Sequence, residues 1–326
     1  MTLSRRQTLA LAAFAAVPLR AGAQTIEQPK FLYGFPAGSS GDITARRVAE
    51  RIAGSAYAKN AALVENKPGA GGRIALDALK TSPADGSVLA LTPFSPISIY
   101  PHVYKKLGYD PVADFVPVSI ASIMHHGLAV GPVVPASVTD VKSFVAWAKA
   151  NPDKANYGSP AAGSTPHFLG ALLGLSQNVE LKHIPYRGSV PGITDVVGGQ
   201  IAAMFTPAGD FLPNHKAGKL RLLATSGRAR LPFATDVATF AEQGFAELTT
   251  EEWFGFYAPA KTPAAMVAAA NAAINAALKD KSVIDGLAVV GLLAQGSTQE
   301  EMLRSQRVEF ERWGPLVKRI GFTADS

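Results

Sequence analysis

From Phe31 onward the chain alternates short apolar runs with stripes of helical period, which admits little besides parallel sheets covered by helices. Residues 31–35 read as the first strand. Ala45, Val48, Ala49, Ile52 and Ala53 then recur at i, i+3, i+4, i+7 and i+8, the apolar face of a helix. Strands are expected at 62–65 and 88–91, with a short helix around Ile74, Ala75, Ala78 and Leu79 between them and a turn at Asp85-Gly86.

The organisation restarts near His126. It predicts strands at 127–130 and 156–158 and helices at 138–149 and beyond Ser164, the second burying Phe168, Leu169, Leu172 and Leu173. Thr165-Pro166 reads as an N-cap followed by Pro at the first helical position, and Thr262-Pro263 reads the same way. Strands at 180–184, 201–205 and 220–225 and a helix at 190–197 complete this unit. The tail is helical, with Met266, Val267, Ala270, Ile274 and Leu278 on one stripe and a final helix over 298–317. No tandem repeat or low-complexity linker separates the units, so the chain is expected to cross between two lobes more than once. The expected division is 24–123 plus 248–326 for one lobe and 124–247 for the other.

The N-terminus reads as an export signal. Arg5 and Arg6 precede an apolar stretch over 8–17 and a small-residue site, Ala21-Gly22-Ala23, which places the mature terminus at Gln24. Ser4-Arg5-Arg6-Gln7-Thr8-Leu9 resembles the twin-arginine signal, with Thr8 where that signal usually has Phe and Ala10 where it often has Lys. The competing membrane anchor fails on length, because an apolar run of about ten residues cannot cross a hydrocarbon core that needs about twenty. Removing 23 of the 326 residues leaves 303, enough for two lobes, and takes away three arginines, so the net charge falls from +6 to +3.

That charge is mild and undirected. The nearest basic cluster, over 221–230, is short and interrupted, so nucleic acid is not an expected partner. The chain has no cysteine, which excludes disulfides, thiolate nucleophiles and Cys-ligated zinc.

Two segments carry the chemistry. Pro36-Ala37-Gly38-Ser39-Ser40 follows one predicted strand, Ala161-Ala162-Gly163-Ser164-Thr165 follows another, and each opens a helix. Glycine lets a backbone approach a ligand, the first-turn N–H groups of a helix lack intrahelical partners, and the helix dipole adds positive potential there. Each loop is therefore a candidate anion site. A single such loop would be no more than ordinary capping chemistry; its recurrence in both units points to a ligand.

The residues Phe35-Pro36-Ala37-Gly38-Ser39-Ser40-Gly41-Asp42 resemble the signature of the tripartite tricarboxylate transporter receptors, the Bug-type binding proteins. Similar blocks recur along the mature chain: Val64-Glu65-Asn66-Lys67-Pro68-Gly69-Ala70-Gly71-Gly72, Tyr104-Lys105-Lys106-Leu107, Tyr109-Asp110-Pro111, Tyr157-Gly158-Ser159, Gly163-Ser164-Thr165 with His167, Pro185-Tyr186-Arg187-Gly188, Thr194-Asp195, Gly198-Gly199-Gln200 and Trp253-Phe254-Gly255. Their order and spacing make the resemblance specific.

The resemblance implies an α/β periplasmic-binding-protein-like type II fold, two lobes joined by two crossings and closing on a ligand. It implies that Ala37, Gly38, Ser39, Ser40 and Asp42 from one loop and Ala161, Ala162, Gly163, Ser164, Thr165 and His167 from the other serve one carboxylate. The far end of the pocket would involve residues 92–95 with Thr92 and Ser95, Arg187, residues 205–208 with Thr206, and Trp253. The implied ligand is a di- or tricarboxylate, an aromatic acid or a related organic acid. The implied partners are the large and small membrane subunits of a tripartite tricarboxylate transporter, with no cofactor. Two departures stand out: Ala202 and Thr206 occupy positions where the family often has acids, which argues against an amino-acid ligand.

Two other functions share parts of this reading. An enzyme would need a nucleophile, metal or cofactor motif, and no G-x-S-x-G, Walker loop or H-E-x-x-H occurs; Gly69-Ala70-Gly71-Gly72 is not a full dinucleotide fingerprint. His125-His126 is not expected to chelate one ion, because adjacent strand residues face opposite ways. A sensory binding protein that docks on a signalling receptor would have the same fold and cleft, and the sequence leaves it open.

Overall fold

The computed structural model describes residues 25–325, so the expected signal segment lies outside the described residues. In chain order the strands are β1 Lys30–Tyr33, β2 Leu63–Asn66, β3 Val88–Pro93, β4 Phe115–Val130, β5 Asn156–Ser159, β6 Lys182–Pro185, β7 Ala203–Pro207, β8 Arg221–Thr225, β9 Glu251–Pro259 and β10 Leu292–Ala294. The α-helices are α1 Ser40–Arg51, α2 Arg73–Lys80, α3 Tyr100–Val103, α4 Val141–Ala150, α5 Thr165–Gln177, α6 Ser189–Val197, α7 Ala208–Lys216, α8 Ala264–Ala277, α9 Lys281–Ala288 and α10 Gln299–Ile320.

Two parallel triplets form the frame. β1 lies between β2 and β3 with Phe31 opposite Val64 and Leu89, and β5 lies between β6 and β7 with Tyr157 opposite His183 and Ala203. Alternation along β1 divides the core, since Phe31 and Tyr33 enter the cluster against α1 and α8 while Leu32 enters the one against α2 and α10. Each fully buried side chain of this kind contributes about 1.5–3 kcal/mol of transfer free energy.

The expectation of parallel sheets throughout is corrected at the centre. β9 runs antiparallel to both β3 and β4, and β7, β8 and β10 also pair antiparallel with β4. β4 was expected only in its last residues because Pro117, Ser119 and Ser122 interrupt the apolar pattern. The pairing with β9 shifts register at those points, as β-bulges do, and Ser119 donates to the carbonyls of Ile120 and Ser297. Residues 115–125 of β4 pair with β9 and residues 126–130 with β7, so the strand runs unbroken through the expected lobe boundary between 123 and 124.

Two helix starts move by one residue. Ser164 is the N-cap of α5, so Thr165 and Pro166 are its first two residues, and α8 begins at Ala264 after Pro263. The side chain of Thr165, freed from capping, has a partner in Ser95, described below. α10 starts from a capping box of Thr298 and Glu301, ends at the left-handed Gly321, and sets Trp313 against Phe168 of α5 in a tilted pair, 5.9 Å between ring centroids.

Candidate functional site

The loops after β1 and β5 both leave the carboxyl ends of parallel strands, where α/β sheets open crevices. Their hydrogen bonding matches residue for residue. Gly38 and Gly163 take φ of +81° and +76°, conformations that favour glycine. Ser39 Oγ donates to Pro36 O at 2.8 Å, and Ser164 Oγ donates to Ala161 O at 2.7 Å. Gly38 N–H donates to Asp42 Oδ2 and Gly163 N–H to His167 Nδ1, each at 2.9 Å and each four residues on.

Asp42 and His167 are thus organisers beneath the loops. Burial pushes the Asp42 carboxyl up, but bonds from Arg46, Gly38 N–H and Asn66 outweigh it and hold the group below the usual carboxylate range. His167 is buried against His183, ring centroids 3.8 Å apart, and burial followed by that neighbour holds it down to about 2; burial holds His183 down to about 4. Both imidazoles are therefore neutral at pH 7, which lets His167 accept from Gly163.

The two loops face one cavity of about 50 Å³, lined by Ser39, Ser40 and Gly41 from one side and Pro160, Ala161, Ser164 and Pro166 from the other. Each helix start is held by a side chain distant in sequence. Ser40 N–H donates to Asp210 Oδ1 of α7 at 3.0 Å, and Ser40 Oγ also donates to it. Thr165 N–H donates to Ser95 Oγ at 3.2 Å, and the two hydroxyls lie 3.0 Å apart. Ser95 Oγ donates to Glu252 Oε1 at 2.6 Å, and Glu252 Oε2 lies 2.7 Å from His126 Nε2, so a buried chain runs from α5 to the crossing strands. Burial raises the Asp210 carboxyl above its ordinary range, against the donors Ser189 and Ser40.

Of the residues singled out from the sequence, Ser39, Ser40, Ser95, Ala161 and Ser164 line the cavity, and Gly163 and Thr165 stand directly behind it. Ala37 and Gly38 lie on the exposed side of their loop, and the Ala162 carbonyl accepts from Tyr104. Arg187 is exposed and does not line the cavity. Thr206 is fully buried with no partner for Oγ1, while its neighbour Pro207 faces the cavity. Trp253 and Thr92 lie away from it as well. Pro93 stands opposite Phe254 and lines the cavity with Phe254 and Glu252, so alternation turns Trp253 to the other face, against Phe94 at 5.6 Å.

Sequence reasoning missed Asp210, Glu252 and His126, along with Tyr33, Phe35 and Phe254. Asp210 had one available signal: it sits at the start of a helix that follows a strand's carboxyl end. His125 and His126 do face opposite sides, toward Glu251 and Glu252 respectively. Among the described residues no group of three or more His, Cys, Asp or Glu side chains is gathered as a metal site would require, and no helix is long and apolar enough to cross a membrane.

A sequence profile described as "Tripartite tricarboxylate transporter family receptor" matches residues 44–322. BugT of Bordetella pertussis is 31% identical over 94% of this chain and 93% of its own length. A Rhodopseudomonas palustris protein solved with adipate superposes with a TM-score of 0.86 at 29% identity, covering 91% of this chain and 98% of that one. MatC of the same organism, solved with bound malate, gives 0.82 at 25% identity over 90% of this chain and 99% of that one. The fold is that of the type II periplasmic binding proteins, as the sequence resemblance implied.

Proposed function

The chain belongs to the tripartite tricarboxylate transporter receptor family, and from that premise we propose that it is a periplasmic receptor that captures a small carboxylate between its lobes and releases it unchanged to the transporter's membrane subunits. The observation that carries the reading is the matched pair of glycine-turned loops, which set two helix N-termini of opposite lobes around one cavity. The adipate and malate of the neighbouring structures support the ligand class.

The mechanism follows from where the loops sit. A carboxylate held at one loop and covered by the other touches both lobes and so interacts better with the closed form than with the open one, which is what shifts a two-state equilibrium. No catalytic step is needed. The serine nearest an imidazole, Ser159 at 2.7 Å from His183, is fully buried outside the cavity lining. Ser95 meets an acid rather than an imidazole, the wrong order for base-assisted attack.

The test is a thermal-shift screen over organic acids, then calorimetry and mass analysis of the recovered ligand. A saturable upward shift with unaltered acid is expected. A product that accumulates in proportion to protein would overturn the receptor reading.

A further inference from the structure

The two helix starts that face the cavity are held by chemically unlike groups. At α5 the Thr165 N–H has only the neutral hydroxyl of Ser95, at 3.2 Å. At α1 both the N–H and the hydroxyl of Ser40 are taken by a carboxylate, that of Asp210 from the opposite lobe. Asp210 thus already stands where an anion at this N-terminus would stand. Asp210 takes two donors of Ser40, the N–H at 3.0 Å, whereas Ser95 takes one N–H at 3.2 Å, so an incoming carboxylate displaces Ser95 before Asp210.

The remaining lining offers no substitute for the occupied donors. Lys and Arg are absent from the residues that line the cavity, whose charged and titratable members are Asp210, Glu252, His126 and two tyrosines. Glu252 is itself engaged, by Ser95 and His126. A ligand's second carboxylate therefore finds no cation and, at α1, a helix start whose Ser40 donors are already taken, and it lies beside two acids.

We infer that Asp210 is a specificity-determining residue which fills the α1 anion site from within, so that this receptor accepts small monocarboxylates and rejects dicarboxylates. The inference rests on the carboxylate reading above and narrows it. It sets this chain apart from the neighbours solved with adipate and malate. Removing Asp210 frees the Ser40 donors and opens the second site.

The experiment is calorimetry on the full chain with propionate, butyrate and benzoate against malonate, succinate and adipate, repeated on Asp210→Ala and Asp210→Ser. The wild type is expected to favour butyrate over succinate by at least about tenfold, because a second carboxylate is desolvated in this lining without a cation to pair it. In Asp210→Ala that preference shrinks by about tenfold or reverses, the change expected when charge-assisted donors are freed. Asp210→Ser serves if the alanine variant does not fold, and the wild-type ratio tests the inference without either. Equal affinity for butyrate and succinate in the wild type, or a ratio unmoved in a folded variant, overturns it while leaving the carboxylate reading intact. No binding of any of the six acids by any of the proteins overturns that reading, and the inference falls with it.

Discussion

The loop that opens α1 and the loop that opens α5 place the same backbone hydrogen bonds around the same left-handed glycine, but an ionised carboxylate organises the first and a neutral imidazole the second. Asp42 can accept from Gly38 only through oxygens, and it does so best when charged. His167 can accept from Gly163 only while Nδ1 carries no proton. Equivalent geometry has thus been reached from opposite ends of the titration scale, and acid should separate the two.

The largest expected effect is on stability against pH. His183 and His167 have folded-state values near 4 and 2, below an ordinary value of 6.5, so the unfolded chain binds more protons as pH falls below 6.5. Their contribution is complete above about pH 6.5. It is lost progressively toward pH 4 for His183 and toward pH 2 for His167, at up to about 1.4 kcal/mol per pH unit for each group. The Asp42 contribution, lowered from 3.8, is retained until the pH falls through that lower range. Unfolding followed between pH 7 and 4.5 should show a falling midpoint, with amide exchange rising first around residues 161–167. A flat midpoint, or earlier exposure of residues 36–42, breaks the comparison.

Substituting the two glycines sharpens it. A side chain at Gly163 would place Cβ 2.8 Å from Val103 Cγ1, whereas at Gly38 it would meet nothing within 4 Å. Gly38→Val should cost about 1–2 kcal/mol for a left-handed residue. Gly163→Val adds overpacking of about 1–3 kcal/mol. Urea titration of both variants checks the order, and equal losses would show that the α5 loop is as free to relax as its counterpart.

The smallest effect is expected at Trp253, which stands with its back to the cavity. Trp253→Phe should cost roughly 1 kcal/mol of packing and leave acid binding unchanged within calorimetric error. A tenfold loss of affinity in a folded variant would place its side chain in the pocket after all.

How far the sequence reaches can be judged from single residues. The stripe from Ala45 to Ile52 and the glycines of both loops were legible because each depends on a few adjacent residues and on backbone preferences that travel with them. Even there, Thr165 was read as a cap and proved to be helical. Its hydroxyl answers to Ser95, seventy positions away, and local preference does not see that contact.

What the sequence alone determined is therefore the repeated strand–loop–helix unit, its glycine hinge points and the family resemblance. Tertiary structure decided the rest. It set the antiparallel passage of β4 and β9 between the triplets, the face of β9 that looks into the cleft, and the arrival of Asp210 at a helix start 170 residues earlier in the chain. Strand alternation says that Glu252 and Trp253 face opposite ways, but only the pairing of β9 with β3 says which way is inward. Likewise any helix N-terminus seeks acceptors, and only the approach of α7 to α1 determines that the chain supplies one of its own, Asp210.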